Sequence, residues 1–135
     1  MPLKVAIVQG SKSDDALGSV VAEVLRDYEI GFDRHIISAH RTPDLLDDFC
    51  REAGGRYCVI IAIAGLSAAL PGAIAARTNV PVIGVPADVG PLRGIDALLA
   101  MAQMPAGTPV ATMGIGVSGA KNSAHLAARI VKMKR

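Results

Sequence analysis

The residues best suited to chemistry stand together in Ser38-Ala39-His40-Arg41-Thr42-Pro43. An imidazole can act as general acid or base, a guanidinium can grip an anion, and two hydroxyls stand beside them. The stretch follows an apolar run, Phe32 to Ile37, and leads into an amphipathic one, Leu45 to Ala53. It reads as a strand-to-helix turn with Thr42 as N-cap and Pro43 at the first helical position. In open α/β folds such turns lie at the carboxyl edge of the sheet, where ligands bind. The competing reading is an exposed loop whose charges are only solvated. His35 and His125 fall within a strand and a helix, where a structural role is the simpler account, so His40 is the one histidine expected in a loop at the ligand edge.

Two further loops could join it. Gly10-Ser11-Lys12-Ser13-Asp14 can cradle an anion: Gly10 allows close backbone approach, and Ser11 and Ser13 add hydroxyls beside a helix N-terminus. Asp14 could cap that helix, or its carboxylate could accept hydrogen bonds from ribose hydroxyls. The stretch Ala64-Gly65-Leu66-Ser67-Ala68-Ala69-Leu70-Pro71-Gly72 is small and uncharged; it leaves room for a flat ligand, or else reflects close helix-to-sheet packing. Arg93, in Gly90-Pro91-Leu92-Arg93-Gly94, could meet an anion or solvent. A phosphorelay receiver is excluded because no acceptor Asp ends the third strand, and flavin binding because no aromatic residue stands in a loop. No His/Cys/Asp/Glu cluster has metal-ligand spacing, so no metal is expected.

These loops need five strand-helix units to hold them. Lys4 to Gln9 reads as a central strand, and Leu17, Val20, Val21, Val24, Leu25 and Tyr28 recur at helical spacing before a stop at Gly31. Phe32 to Ile37 is the second strand, with Leu45, Leu46, Phe49, Cys50 and Ala53 on the second helix. Tyr57 to Ala64 is a third strand, too apolar to have a wet face, before a helix from about Ala68 to Thr78. Val80 to Pro86, Ile95 to Met104, Val110 to Ile115 and Ala120 to Lys132 complete the alternation as strand, helix, strand, helix. The pattern calls for an α/β fold with a parallel five-stranded sheet covered on both faces, in the flavodoxin-like order 2-1-3-4-5.

A chain of 135 residues is one domain, spanning 1–135. Charged residues make up only 19% against 51% hydrophobic, with mean hydropathy +0.41, which leans towards an oligomer. Lys and Arg outnumber Asp and Glu by only 14 to 12, and aromatics are 3%, so neither a phosphate-tracking stripe nor stacking platforms for nucleic acid exist. Cys50 and Cys58 read as buried free thiols, as in a reducing cytoplasm, and no secretory signal pattern opens the chain. Tyr57 to Ala76 is twenty residues without a charge, long enough to nominate a membrane span. Its β-branched start, Gly65 and Pro71-Gly72 favour strand, loop and buried helix instead.

With Gly10-Ser11-Lys12-Ser13-Asp14, Ser38 to Pro43, Ala64-Gly65, Leu70-Pro71-Gly72, Pro81 to Pro86 and Gln103-Met104-Pro105 in order, nearly the whole chain resembles the N5-carboxyaminoimidazole ribonucleotide mutase and aminoimidazole ribonucleotide carboxylase family of purine biosynthesis. The resemblance implies a three-layer α/β/α sandwich, flavodoxin-like and octameric. The implied reaction moves a carboxylate from N5 to C4 of the ribonucleotide through bound CO2, with no cofactor. It also implies Ser11, Asp14 and Arg41 as ribonucleotide-binding residues and His40 as acid/base. Gly10, Ser13, Ser38, Ala39, Ala64, Gly65, Leu66 and Ser67 are the expected remainder of the substrate site. The third loop departs from the common bacterial Ala-Gly-Gly-Ala-Ala-His-Leu-Pro-Gly, having Leu66, Ser67 and, where the histidine stands, Ala69. Ala-Gly-x-Ser is similar to the carboxylases that use free CO2, whereas Arg41 stands where those enzymes usually carry Lys. A mutase, a carboxylase and a non-catalytic nucleotide-binding homologue are the readings these residues leave open.

Overall fold

The structure, a computed structural model, describes residues 3–135. Strands β1 (Val5–Gln9), β2 (Phe32–Ile36), β3 (Val59–Ala64), β4 (Val82–Pro86) and β5 (Ala111–Thr112) alternate with helices α1 (Asp15–Asp27), α2 (Pro43–Arg56), α3 (Leu70–Ala75), α4 (Ile95–Ala102) and α5 (Val117–Lys134). The sheet runs β2-β1-β3-β4-β5 with every pair parallel, so the expected flavodoxin-like order holds. Alternation along the strands builds two cores. Val5, Ile7, Val59, Ile61 and Ile63 pack with Val21, Leu25, Ala124 and Val131 of α1 and α5. Ala6, Val8, Ile60 and Ala62 pack with Leu46, Phe49, Ile74 and Met101 of α2, α3 and α4. Central strands buried on both faces need continuous apolar sequence, and β1, β3 and β4 have it.

Several expectations are corrected at the margins. The second strand is not a buried apolar run: it is the sheet edge, ends at Ile36, and leaves Arg34 and Ile36 exposed. Its polar residues tie it inward. Lys4 Nζ stands 2.8 Å from Asp33, the Tyr57 hydroxyl donates to Asp33 at 2.8 Å, and His35 Nε2 donates to that hydroxyl at 2.9 Å. Burial and the bond to Asp33 push the Tyr57 phenol up to about 12. Helix α1 stops at Asp27, and Glu29 (φ 59°), not Gly31, takes the left-handed conformation. Helix α3 keeps only Leu70–Ala75 of its expected span, and α5 starts earlier, at Val117. Strand β5 is only two residues long, although the Met113 and Gly116 amides still reach the Gly84 and Pro86 carbonyls. Tyr57 to Ala76 resolves into β3, a loop and α3, and no described helix is long and apolar enough to cross a membrane.

Candidate active site at the carboxyl edge

The loops after β1, β2 and β3 open at the same edge of the sheet and enclose a cleft of about 430 Å³. Gly10, Ser11, Ser13 and Asp14 line it from the first loop, and Ser38, Ala39, His40 and Arg41 from the second. Ala64, Gly65, Leu66 and Ser67 line it from the third. All the residues expected at the substrate site therefore meet at one cleft.

The first loop is closed on itself. Ser11 Oγ accepts from the Ser13 amide at 3.2 Å and from the Ser13 hydroxyl at 3.0 Å, and the Ser11 carbonyl accepts from the Asp14 amide at 3.1 Å. This caps a 3-10 turn over Lys12–Asp14 and hands the chain to α1. Asp14 occupies the N-cap position, yet its side chain makes no cap bond there. The residue is 5% exposed, and burial pushes the pKa of its carboxyl up to about 6. The Ser11 backbone pulls the other way, and the neighbouring charge of Asp15 adds to the rise. A carboxylate held this way resists ionising until something donates to it.

In the second loop Thr42 again takes the N-cap position without capping. Its hydroxyl instead accepts from the Ser38 amide at 3.0 Å and donates to the Ser38 carbonyl at 3.1 Å, while Ser38 Oγ accepts from the Arg41 amide at 3.1 Å. These bonds clasp residues 38–42 into one turn with His40 and Arg41 at its tip. Among the described residues no carboxylate pairs with Arg41, so its guanidinium is available to an anion at the mouth.

The third loop faces this tip. His40 Nε2 lies 3.4 Å from the Ser67 carbonyl; donation from Nε2–H leaves the lone pair on Nδ1. Gly65 is required by close approach, since a Cβ there would stand 2.4 Å from Val89 Cγ2. Leu66 is left-handed, with φ 56°.

The chain matches the family described as AIR carboxylase over residues 4–135. It is 49% identical over 135 residues to the N5-carboxyaminoimidazole ribonucleotide mutase of Pseudomonas aeruginosa, covering 99% of this chain and 83% of that one. It is 50% identical over 131 residues to the Escherichia coli K12 protein of the same name, covering 96% and 78%. This chain belongs to the AIR carboxylase family. Treponema denticola PurE has the same fold, with a TM-score of 0.86 at 30% identity over 98% of this chain and 82% of that one.

Within this AIR carboxylase fold Arg93 lies outside the cleft, and so does Lys12. Val89 lines it unexpectedly, beside Ala68, Ala69 and Leu70. The signal for Val89 was topological: the loop after β4 also opens at the carboxyl edge, and the Ala87 amide donates to the Ala64 carbonyl at 2.9 Å, drawing that loop over the third. Among the described residues no group of His, Cys, Asp or Glu is arranged to hold a metal ion.

Proposed function

We propose that this protein is an N5-carboxyaminoimidazole ribonucleotide mutase, an isomerase of purine biosynthesis. The observation that carries the reading is the convergence of an anion loop, a buried carboxyl, a histidine and an unpaired arginine on one cleft floored by small residues, in a chain of this family. Ser11 and Ser13 take the phosphate with the backbone of the first loop, and Asp14 accepts from the ribose hydroxyls. Arg41 holds carboxylate or phosphate at the mouth. Ala64 to Ser67 leave a flat slot for the imidazole ring.

Breaking the N5–carboxyl bond releases CO2 and leaves an electron pair on nitrogen, which takes a proton from the His40 imidazolium. C4 then attacks the trapped CO2, and the neutral imidazole removes the C4 proton, restoring the starting protonation state. Holding CO2 against the ring and excluding water supply much of the remaining acceleration. The enzyme works in the cytoplasm as a homo-oligomer, an octamer in keeping with the family. Exposed Leu66, Leu92, Ile95 and Leu99 give it apolar surface to cover, and light scattering that gave a 13.9 kDa monomer would refute the assembly.

The reaction is tested by supplying N5-carboxyaminoimidazole ribonucleotide in CO2-depleted buffer and, separately, aminoimidazole ribonucleotide with bicarbonate. Efficient conversion in the first arm is expected. Product only in the second would replace the mutase by a CO2-using carboxylase, and binding without turnover in either would leave a non-catalytic homologue.

A further inference from the structure

Outside the cleft, three polar side chains from three elements meet: Gln9 at the end of β1, Asp15 at the start of α1 and Arg34 on the edge strand β2. Gln9 is only 1% exposed, and a buried amide is costly unless both its ends are bonded. Here both are. Its Oε1 accepts from Arg34 Nη2 at 2.7 Å, and its Nε2 donates to Asp15 Oδ1 at 2.7 Å, with the Ser11 carbonyl 3.4 Å away. Arg34 also donates to the Asp15 carbonyl and to the Ser19 hydroxyl, each at 3.3 Å. Its Nη2 stands 3.9 Å from the Asp15 carboxylate. The chain is therefore charge-assisted at both ends of a neutral amide. Helix α1 makes room for it with Gly18, where a Cβ would fall 2.1 Å from Gln9 Oε1 and 2.6 Å from Arg34 Nη2.

The two groups that Gln9 Nε2 reaches, the Ser11 carbonyl and the Asp15 carboxylate, bracket the turn that carries Ser13 and Asp14 into the cleft. We propose that Gln9, Asp15 and Arg34 form a brace that fixes the first loop in its ligand-ready shape, which makes them positioning residues for the ribonucleotide. The identity of that ligand rests on the function proposed above; the brace itself does not. A loop ordered before binding loses less freedom on binding. Because phosphate and ribose contacts are alike in ground and transition states, loosening the brace weakens binding and leaves the chemical step nearly intact.

Arg34 is the residue to change, since it is exposed on an edge strand and belongs to neither hydrophobic cluster; its loss opens no apolar cavity and unpairs only Gln9 Oε1, the bond under test. Arg34→Met keeps the apolar stem and removes the guanidinium; Arg34→Lys keeps the charge with a single reaching donor. Two readouts are taken: KM and kcat with N5-carboxyaminoimidazole ribonucleotide, and hydrogen exchange in the ligand-free protein. The exchanging amides are those of Ser13 and Asp14, both bonded within the loop. Arg34→Met is expected to raise KM about tenfold with kcat within about threefold, and to speed exchange at both amides about tenfold. Arg34→Lys is expected to recover part of each. Wild-type exchange in Arg34→Met overturns the brace, and so does faster exchange or a lower melting temperature with KM unchanged. A wild-type protein that fails to turn over the ribonucleotide sinks the proposed function instead, and the exchange experiment then decides the brace alone.

Discussion

Asp14→Asn should make this protein more stable and less able to bind its ligand. The carboxyl of Asp14 sits at about 6 instead of 3.8 because burial, with the charge of Asp15 beside it, outweighs the hydrogen bond from the Ser11 backbone. A folded-state pKa raised above the unfolded one means that folding opposes ionisation. Stability is then complete below the unfolded pKa and declines as pH rises through the folded one. The loss develops between about pH 4 and 6 and is constant above, with a ceiling of about 3 kcal/mol at neutral pH. For 135 residues that corresponds to about 10 °C in melting temperature. Asparagine keeps the shape of the side chain and cannot ionise. Melting curves of both proteins at one fixed concentration, taken from pH 4 to pH 8, should nearly coincide at the acid end. They should separate through pH 4 to 6, with the variant about 5–10 °C higher above pH 6.5. A difference that does not change with pH, or a variant less stable at pH 7.5, would refute the reasoning. Binding should move in the opposite sense. On the proposed function ribose hydroxyls donate to the ionised form, so wild-type affinity should rise with pH through about 6, and the variant should lose that dependence along with about tenfold in affinity.

Three other substitutions read separate parts of the molecule. His40→Asn should bind the ribonucleotide normally and lose about 10²–10⁴-fold in kcat; turnover within about tenfold of wild type, only ~1.4 kcal/mol in barrier, is too small for the proton shuttle. Arg41→Ala should weaken ribonucleotide binding at least about tenfold while changing stability by less than about 0.5 kcal/mol, and unchanged affinity by calorimetry would remove the guanidinium from the site. Tyr57→Phe deletes the hydroxyl that joins His35 to Asp33 under the sheet edge, and should cost about 1–3 kcal/mol; an unaltered melting temperature would show that the edge strand does not depend on that bond.

The sheet was legible because its three central strands are buried on both faces, which forces uninterrupted apolar sequence at β1, β3 and β4, and because Gly and Pro punctuate the loops between them. Edge strands carry no such signal. The Asp33-Arg34-His35 run inside β2 becomes intelligible only when Tyr57 and Lys4 are seen to satisfy it, and those partners are remote in sequence. Thr42 shows a related ambiguity, for a hydroxyl before a proline can cap the coming helix or clasp the preceding turn, and here it closes back onto Ser38. The loops that form the cleft were readable as loops, and the sheet order brought them together. What local sequence did not carry was the environment of Asp14, whose raised pKa depends on burial by the assembled fold.

Leu66 joins two demands on the third loop that oppose each other. On the proposed function the floor of the cleft must be small enough to admit a flat ring, which Ala64 and Gly65 provide, and a Cβ on Gly65 would clash with Val89. The next residue turns left-handed, where the common bacterial pattern has a glycine that adopts the conformation freely; a leucine there is strained by about 1–2 kcal/mol. The strain persists because neighbouring backbone holds it. The Ala68 amide bonds the Leu66 carbonyl at 2.8 Å, and Gly90, itself left-handed, leaves its Cβ position open for the Leu66 side chain, 2.5 Å from where that atom would be. On the proposed mechanism the gain is at the mouth. A reaction that frees CO2 before recapturing it loses yield whenever water enters or CO2 escapes, and an apolar side chain at the cleft rim opposes both. Leu66, half exposed at the rim of the cleft, is placed to do this, which ties the departure from the common bacterial pattern to the proposed chemistry.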